Sequence, residues 1–133
     1  MRITAAAVML AAVMLPADAA GADEGRLPQT IGACVATTIV TIGTRFDDPL
    51  SAQRPKLSHG TLVTFANGGL QVSYEWIGAV ARSQVGDPVR MCLTAIPEDC
   101  PPGDTRGKVY DTTNLRTGET WSLPDAQHMC GGA

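Results

Sequence analysis

The sequence predicts an all-β fold class: a small antiparallel barrel or sandwich of about five or six strands, with a short C-terminal helical turn and disulfide bonds. Three observations favour this fold. β-Branched residues are concentrated between Cys34 and Phe46. Asn67-Gly68 is a favoured hairpin dipeptide. The four cysteines form an even set in a short chain.

The N-terminal segment has the features of a secretory signal peptide. Arg2 supplies a positive charge, an apolar run follows from Ile3 to Leu15, and small residues offer cleavage after Ala19 or Ala22. This run is shorter than the roughly 20 residues that a membrane span needs. We therefore expect an exported protein, located in the periplasm or secreted from the cell.

The expected domain organisation has three parts. Residues 1–19 are the signal peptide, 20–32 form a flexible polar lead, and 33–133 form a single β-rich domain. A total length of 133 residues favours one domain. All four cysteines lie in that domain, in a chain that is expected to reach an oxidising compartment.

The cysteines predict two disulfides, because their number is even and a signal peptide precedes them. Three pairings are possible. We favour Cys92 with Cys100, which closes a short loop, and Cys34 with Cys130, which joins the start of the domain to its end.

The first elements are a long strand and a long loop. β-Branched residues from Cys34 to Phe46 fit a pleated surface better than a helix. Residues 47–60 contain proline, glycine and few apolar side chains, so they form a surface loop that ends near His59. Loops of this length in compact domains are often functional.

The next element is a hairpin from Thr61 to Trp76, with Asn67-Gly68 at its turn. That turn sets the register and therefore the two faces. The face toward the core is predicted to hold Thr61, Val63, Phe65, Leu70, Val72 and Tyr74. Gln71 is predicted to lie on the opposite face, and moving the turn to Gly68-Gly69 leaves these faces unchanged.

The remaining elements follow in order. Residues 77–85 fit either a strand or a helical turn, and residues 89–96 are predicted to form a strand. A second loop is expected at 97–107 and a second hairpin at 108–123. The chain is expected to end in a helical turn at 124–133. On the 89–96 strand, one face is predicted to hold Val89, Met91, Leu93 and Ala95, and the other Arg90, Cys92 and Thr94.

Composition and motifs limit the function. The net charge of −3 and the scattered basic residues exclude a nucleic-acid partner, and nothing after the signal peptide suggests a membrane partner. No catalytic or nucleotide-binding motif is present, so we expect no cofactor. The favoured function is a monomeric, non-enzymatic exported domain that binds or inhibits a protein or small ligand through loops 47–60 and 97–107.

The candidate binding residues are Trp76, Trp121, Arg106, Lys108 and His59. Tryptophan is enriched in interface hot spots, which is why both tryptophans are included, whereas the competing interpretation, favoured for aromatic residues on the strands of a small domain, is a place in the core. The two basic residues flank a glycine at the end of the second loop, and the histidine lies at the end of the first.

Two alternative functions stay open. A small exported hydrolase would use His59 or His128 as its acid–base group. A soft-metal carrier would use Cys92, Cys130, His128 and Met129 as ligands. The paired cysteine spacing that is usual in zinc sites is missing from the sequence.

Overall fold

The computed structural model describes residues 25–132 and shows a six-stranded antiparallel sheet that curls into a half-barrel. The strands are β1 (Cys34–Gly43), β2 (Thr61–Phe65), β3 (Leu70–Ser73), β4 (Pro88–Ala95), β5 (Val109–Asn114) and β6 (Thr120–Pro124). Their order across the sheet is β3-β2-β1-β4-β5-β6. The predicted all-β class is therefore confirmed, while the predicted signal peptide lies outside the described residues.

The hydrophobic core lies on the inner face of the curled sheet. On β4, Val89, Met91 and Leu93 are fully buried and the residues between them face outward, as the alternating pattern predicted. Tyr110 on β5 and Trp121 on β6 complete the core from the far side of the sheet. The described part of the predicted flexible lead, 25–32, also contacts this core through Leu27.

The β2–β3 hairpin has a register one residue away from the predicted one. The Phe65 N–H donates to the Gly69 carbonyl at 2.9 Å, so the loop spans residues 66–68. Val63 consequently lies opposite Gln71. A shift of one residue turns every side chain of a strand to the other face of the sheet.

The changed register overturns two sequence predictions. Gln71 faces the core and is fully buried, whereas it was expected on the outer face. Tyr74, which was expected on the core face, is half exposed at the surface. The prediction that the apolar face does not depend on the choice of turn is wrong. It compared only two turns whose registers differ by two residues, and such a difference leaves every side chain on the same face.

Gln71 closes the gap between the two edge strands of the half-barrel. Its Nε2 donates to the backbone carbonyls of Tyr110 (2.7 Å) and Leu123 (3.0 Å). Its Oε1 accepts from Thr112 Oγ1 (2.7 Å) and from Trp121 Nε1 (2.9 Å). The side chain therefore joins β3 to β5 and β6 and satisfies the hydrogen-bonding groups of its buried amide.

All four cysteines form disulfides, but the favoured pairing is wrong. Cys34 bonds Cys92, and Cys100 bonds Cys130. The first pair lies directly opposite on the neighbouring strands β1 and β4, with a Cα–Cα distance of 4.0 Å. The second ties the 97–107 loop to the C-terminal segment.

The described residues contain one short helix, α1 (Gly78–Ala81), which lies in the segment that fitted either a strand or a helical turn. Residues 125–132 form turns instead of the predicted C-terminal helical turn. Pro124, the expected start of that helix, pairs with Val109 at the end of β6. Over the described range, no helix has the length and apolarity needed to span a membrane.

A buried polar network joins the start of β4 to the β5–β6 turn. The buried carboxylate of Asp87 accepts hydrogen bonds from Arg116, from the Asn114 amide and from the Gln84 backbone N–H. The Arg116 guanidinium, with these neutral donors, holds the pKa of Asp87 well below its usual range despite burial.

Candidate binding surface

The loop between β1 and β2 is held in a defined shape at one end of the sheet. Thr44 Oγ1 accepts from the backbone N–H groups of Phe46 (3.2 Å) and Asp48 (3.3 Å). The Thr44 N–H in turn donates to the Asp48 carbonyl at 2.8 Å. At the other end of the loop, Ser58 Oγ donates to the Tyr74 carbonyl at 3.2 Å.

A cavity of about 210 Å³ lies between this loop and Trp76, and we call it the loop pocket. Its apolar walls are formed by Pro49, Leu50, Pro55, Leu57 and Trp76. The polar residues Thr44, Asp48, Ser51 and His59 and the glycine Gly60 complete its lining. The pocket is therefore a mainly apolar concavity with a few polar groups, which is the usual character of a binding site.

Trp76 is fixed in orientation at the pocket wall. Its indole Nε1 donates to the Ser51 carbonyl at 2.8 Å, which ties the middle of the loop to this ring. The guanidinium carbon of Arg54 lies 5.1 Å from the ring centroid, in a cation–π contact. The ring is thus held by the loop whose residues form the rest of the pocket.

Beside the loop pocket is a group of aromatic and cationic side chains, which we call the Arg45 cluster. It comprises Arg45, Phe46, His59, Tyr74, Gln127 and His128. The guanidinium carbon of Arg45 lies 4.2 Å from the Tyr74 ring centroid and 5.0 Å from the Phe46 ring centroid.

Each histidine packs edge-on against one of the aromatic rings that hold Arg45. The ring centroids of His59 and Phe46 are 5.8 Å apart, and those of His128 and Tyr74 are 6.3 Å apart. A weak hydrogen bond of 3.4 Å also joins His128 Nε2 to the Tyr74 hydroxyl. Both histidines of the chain therefore lie on one surface.

The Arg45 side chain lies close against Gly60. A Cβ atom at position 60 would come within 2.6 Å of Arg45 Nε and 2.5 Å of the Ser73 carbonyl oxygen. Gly60 also has a φ of 79°, a left-handed conformation that favours glycine. This glycine therefore provides the space that lets the guanidinium approach the sheet.

The structure brings together two of the five predicted binding residues, His59 and Trp76, which both line the loop pocket. Trp121 lies in the core, where its indole N–H is bonded to Gln71. Arg106 forms an ion pair with Asp104 at 2.8 Å. Both residues lie on the 97–107 loop, which the Cys100–Cys130 disulfide ties to the C-terminal segment.

The second predicted loop is held against the C-terminal segment instead of forming part of the loop pocket. Asp104 Oδ2 accepts a hydrogen bond from the Gly131 N–H at 2.9 Å. The pKa of Asp104 is well below its usual range, mainly because the Arg106 guanidinium donates to the Asp104 carboxylate. Lys108 is half-buried, and its carbonyl accepts from the Asp125 N–H at 2.9 Å.

The soft-metal alternative is wrong in the form predicted, because the sulfurs of Cys92 and Cys130 are both disulfide-bonded. Within residues 25–132, no group of three or more histidine, cysteine or acidic side chains is arranged to hold a metal ion. The hydrolase alternative stays a prediction. In that same range, neither His59 nor His128 hydrogen-bonds to a carboxylate that would orient it for acid–base catalysis.

Sequence reasoning missed the exposed members of this surface. Phe46 and Leu57 are 62% and 76% exposed, and Arg45 stacks between two aromatic rings. Tyr74 was assigned to the core because of the hairpin register. Tyr74 and Trp76 both lie beyond the end of β3 (Leu70–Ser73), so the two-residue period of a strand does not predict where their rings point.

The described chain is a small disulfide-bonded β domain, which is consistent with an extracellular protein. Disulfides of this kind are rare in the reducing cytosol. Comparison of the chain with protein-family models, with curated proteins and with solved structures found no match.

Proposed function

We propose that this protein is an exported, non-enzymatic domain that binds a protein partner by taking one apolar side chain of that partner into the loop pocket. The observation that carries this proposal is the pocket itself, a cavity of about 210 Å³ with mainly apolar walls. It is bordered by Leu57, an apolar side chain that is 76% exposed.

The size of the pocket favours a side chain over a whole small molecule. Pockets for drug-sized ligands usually have volumes of about 300–1,000 Å³. An apolar cavity of about 150 Å³ is large enough to hold benzene. A cavity of about 210 Å³ therefore suits one aromatic or branched aliphatic side chain, with the rest of the partner lying across the surface outside.

The surroundings of the pocket provide such a contact surface. Phe46 and Tyr74 are both at least half exposed beside it, and aromatic side chains are enriched in protein interfaces. The hydrogen bond from Trp76 to Ser51 fixes the pocket wall before a partner arrives. Such preorganisation reduces the entropy lost on binding.

The proposal is tested with a library of random pentapeptides, made both as free acids and as amides. Peptides that bind the full mature protein are expected to share an apolar residue at one position. The substitution Leu57→Asp places a charge on the pocket rim and is expected to weaken their binding by about tenfold or more. Leu57 is largely exposed, so the fold should be retained.

The matched control is Leu115→Asp, since Leu115 is another leucine that is more than half exposed but does not line the pocket. Binding by Leu115→Asp should equal that of the wild type. Absence of any peptide binding, or equal loss in both variants, would overturn the proposed function.

A further inference from the structure

Arg45 differs from the arginines that support the fold because, within residues 25–132, it pairs with no carboxylate. The ion-paired arginines in that range are Arg82, Arg106 and Arg116, each within 2.8 Å of an acidic side chain. The one side-chain acceptor that the described residues offer Arg45 is the neutral amide of Gln127, at 3.1 Å from Nη1. Among residues 25–132, its buried Nε has no hydrogen-bond partner.

Arg45 is nevertheless held in place. Its guanidinium packs against the rings of Tyr74 and Phe46, and Gly60 leaves room for its side chain to approach the sheet. A guanidinium presents a planar fork of donors that matches a carboxylate with two parallel hydrogen bonds. Because the side chain is already oriented, less rotamer entropy is lost when that carboxylate binds.

The Arg45 cluster and the loop pocket share His59, and Gly60 of the pocket lies next to the Arg45 side chain. His59 lines the pocket and packs on Phe46 of the cluster. Gly60 lines the pocket, and a Cβ atom at this position would come within 2.6 Å of Arg45 Nε. A ligand whose apolar side chain fills the pocket would therefore place its neighbouring atoms near the Arg45 guanidinium.

We infer that the Arg45 cluster binds a carboxylate, and that the ligand is the C-terminal end of a protein partner whose last residue is apolar. This inference rests on the proposed function, because the apolar side chain occupies the loop pocket. A chain terminus supplies both required groups on one residue, with the carboxylate one carbon away from the side chain. An acidic side chain beside an apolar residue offers the same chemistry from a second source.

The test compares matched peptides on the wild-type protein by calorimetry. One acetylated peptide ends in a free carboxylate on leucine, a second is its C-terminal amide, and a third is amidated with a glutamate before the leucine. The free acid is expected to bind about tenfold tighter than the amide. Equal affinity of the free acid and the amide would overturn the carboxylate site while leaving the proposed function intact.

If the glutamate peptide matches the free acid, the carboxylate site stands but the ligand is not a chain terminus, which overturns that part of the inference. Binding by none of the peptides would overturn the proposed function and this inference together. The acid and amide peptides need no variant, so a folding defect cannot obscure the result.

Variants then assign the carboxylate to Arg45. Arg45→Gln is expected to abolish the preference for acid over amide, and Arg45→Lys to keep only part of it, because lysine retains the charge without the planar fork. Arg90→Gln is the matched control, since Arg90 is an exposed arginine on β4 away from the cluster. Retention of the full preference in Arg45→Gln would overturn the assignment.

Discussion

The Gln71 side chain is expected to contribute more to stability than any other single polar group on β2 or β3. Replacing it with alanine removes four hydrogen bonds and leaves the Thr112 hydroxyl, the Trp121 indole N–H and two backbone carbonyls without this partner. All of these groups contact a side chain that is fully buried. The substitution therefore tests whether one amide holds the edges of the half-barrel together.

The magnitude follows from these contacts. A hydrogen bond contributes about 0.5–1.5 kcal/mol net, and a buried group left unsatisfied costs about 1–3 kcal/mol. We expect Gln71→Ala to lower the free energy of unfolding by about 3–5 kcal/mol, with the four bonds not fully additive. Small domains have total stabilities of about 5–15 kcal/mol, so the variant should be close to its folding limit.

The assay is urea unfolding followed by circular dichroism, with Gln53→Ala as the control because Gln53 is exposed on the β1–β2 loop. A loss below about 1 kcal/mol in Gln71→Ala, within the range of one ordinary hydrogen bond, would refute this reasoning.

A second variant, Gln71→Glu, adds a pH readout. An ionised carboxylate cannot donate to the two carbonyls, so burial and these contacts should raise the pKa of the glutamate above its unfolded value of about 4.3. The variant should therefore be closest to the wild type below that pH and lose stability, relative to it, as the pH rises. A pH-independent difference would contradict the role of Gln71 as a buried donor.

Three further predictions concern the rest of the fold. Asp87→Asn should lower the melting temperature at pH 6, and by progressively less as the pH falls below about 3.9, because the stabilising contribution of the ionised, hydrogen-bonded Asp87 carboxylate is present above its unfolded pKa and is lost as the pH falls toward its lower folded pKa. A difference that stays constant across pH would contradict this. Gly60→Ala should lower the free energy of unfolding in urea more than Gly68→Ala does. The angle φ is near 80° at both positions, but of these two glycines only Gly60 has neighbouring atoms where a Cβ would lie. Equal losses of stability would show that backbone strain alone matters. Replacing Cys100 and Cys130 together with alanine should lower the free energy of unfolding by about 3.6 kcal/mol, for a sequence separation of 30 residues. A non-reducing peptide map of the wild type should recover these two cysteines in one fragment, and a fragment that joins Cys92 to Cys100 would contradict the structure.

The features that were predicted correctly depend on local pattern. The strand at β4 alternates buried and exposed residues, and that period was visible in Val89, Met91 and Leu93. The hairpin was found from its Asn67-Gly68 dipeptide, but its register was not. A two-residue turn and the observed 66–68 loop use the same dipeptide, so local turn chemistry does not separate them.

The disulfide pairing depended on the sheet order, which local pattern does not supply. Cys34 and Cys92 lie opposite each other because β1 pairs with β4, across a whole hairpin of intervening sequence. The candidate site was predicted only in part for a similar reason. His59 and Trp76 were singled out, but Arg45 and Tyr74 join them only through the folded loop and the shifted register.

The hydrogen bonds of Gln71 also affect how exposed the edges of the sheet are to strands from other molecules. Open sheets have two edge strands whose unpaired backbone groups can add a strand from another molecule. Here the two edges, β3 and β6, face each other, and Gln71 on β3 donates across the gap to the carbonyl of Leu123, which lies opposite Tyr110 within the β5–β6 ladder. A strand from another molecule that added to either edge would therefore have to enter the gap that Gln71 bridges, even though this gap lacks the continuous backbone hydrogen bonds of a complete barrel.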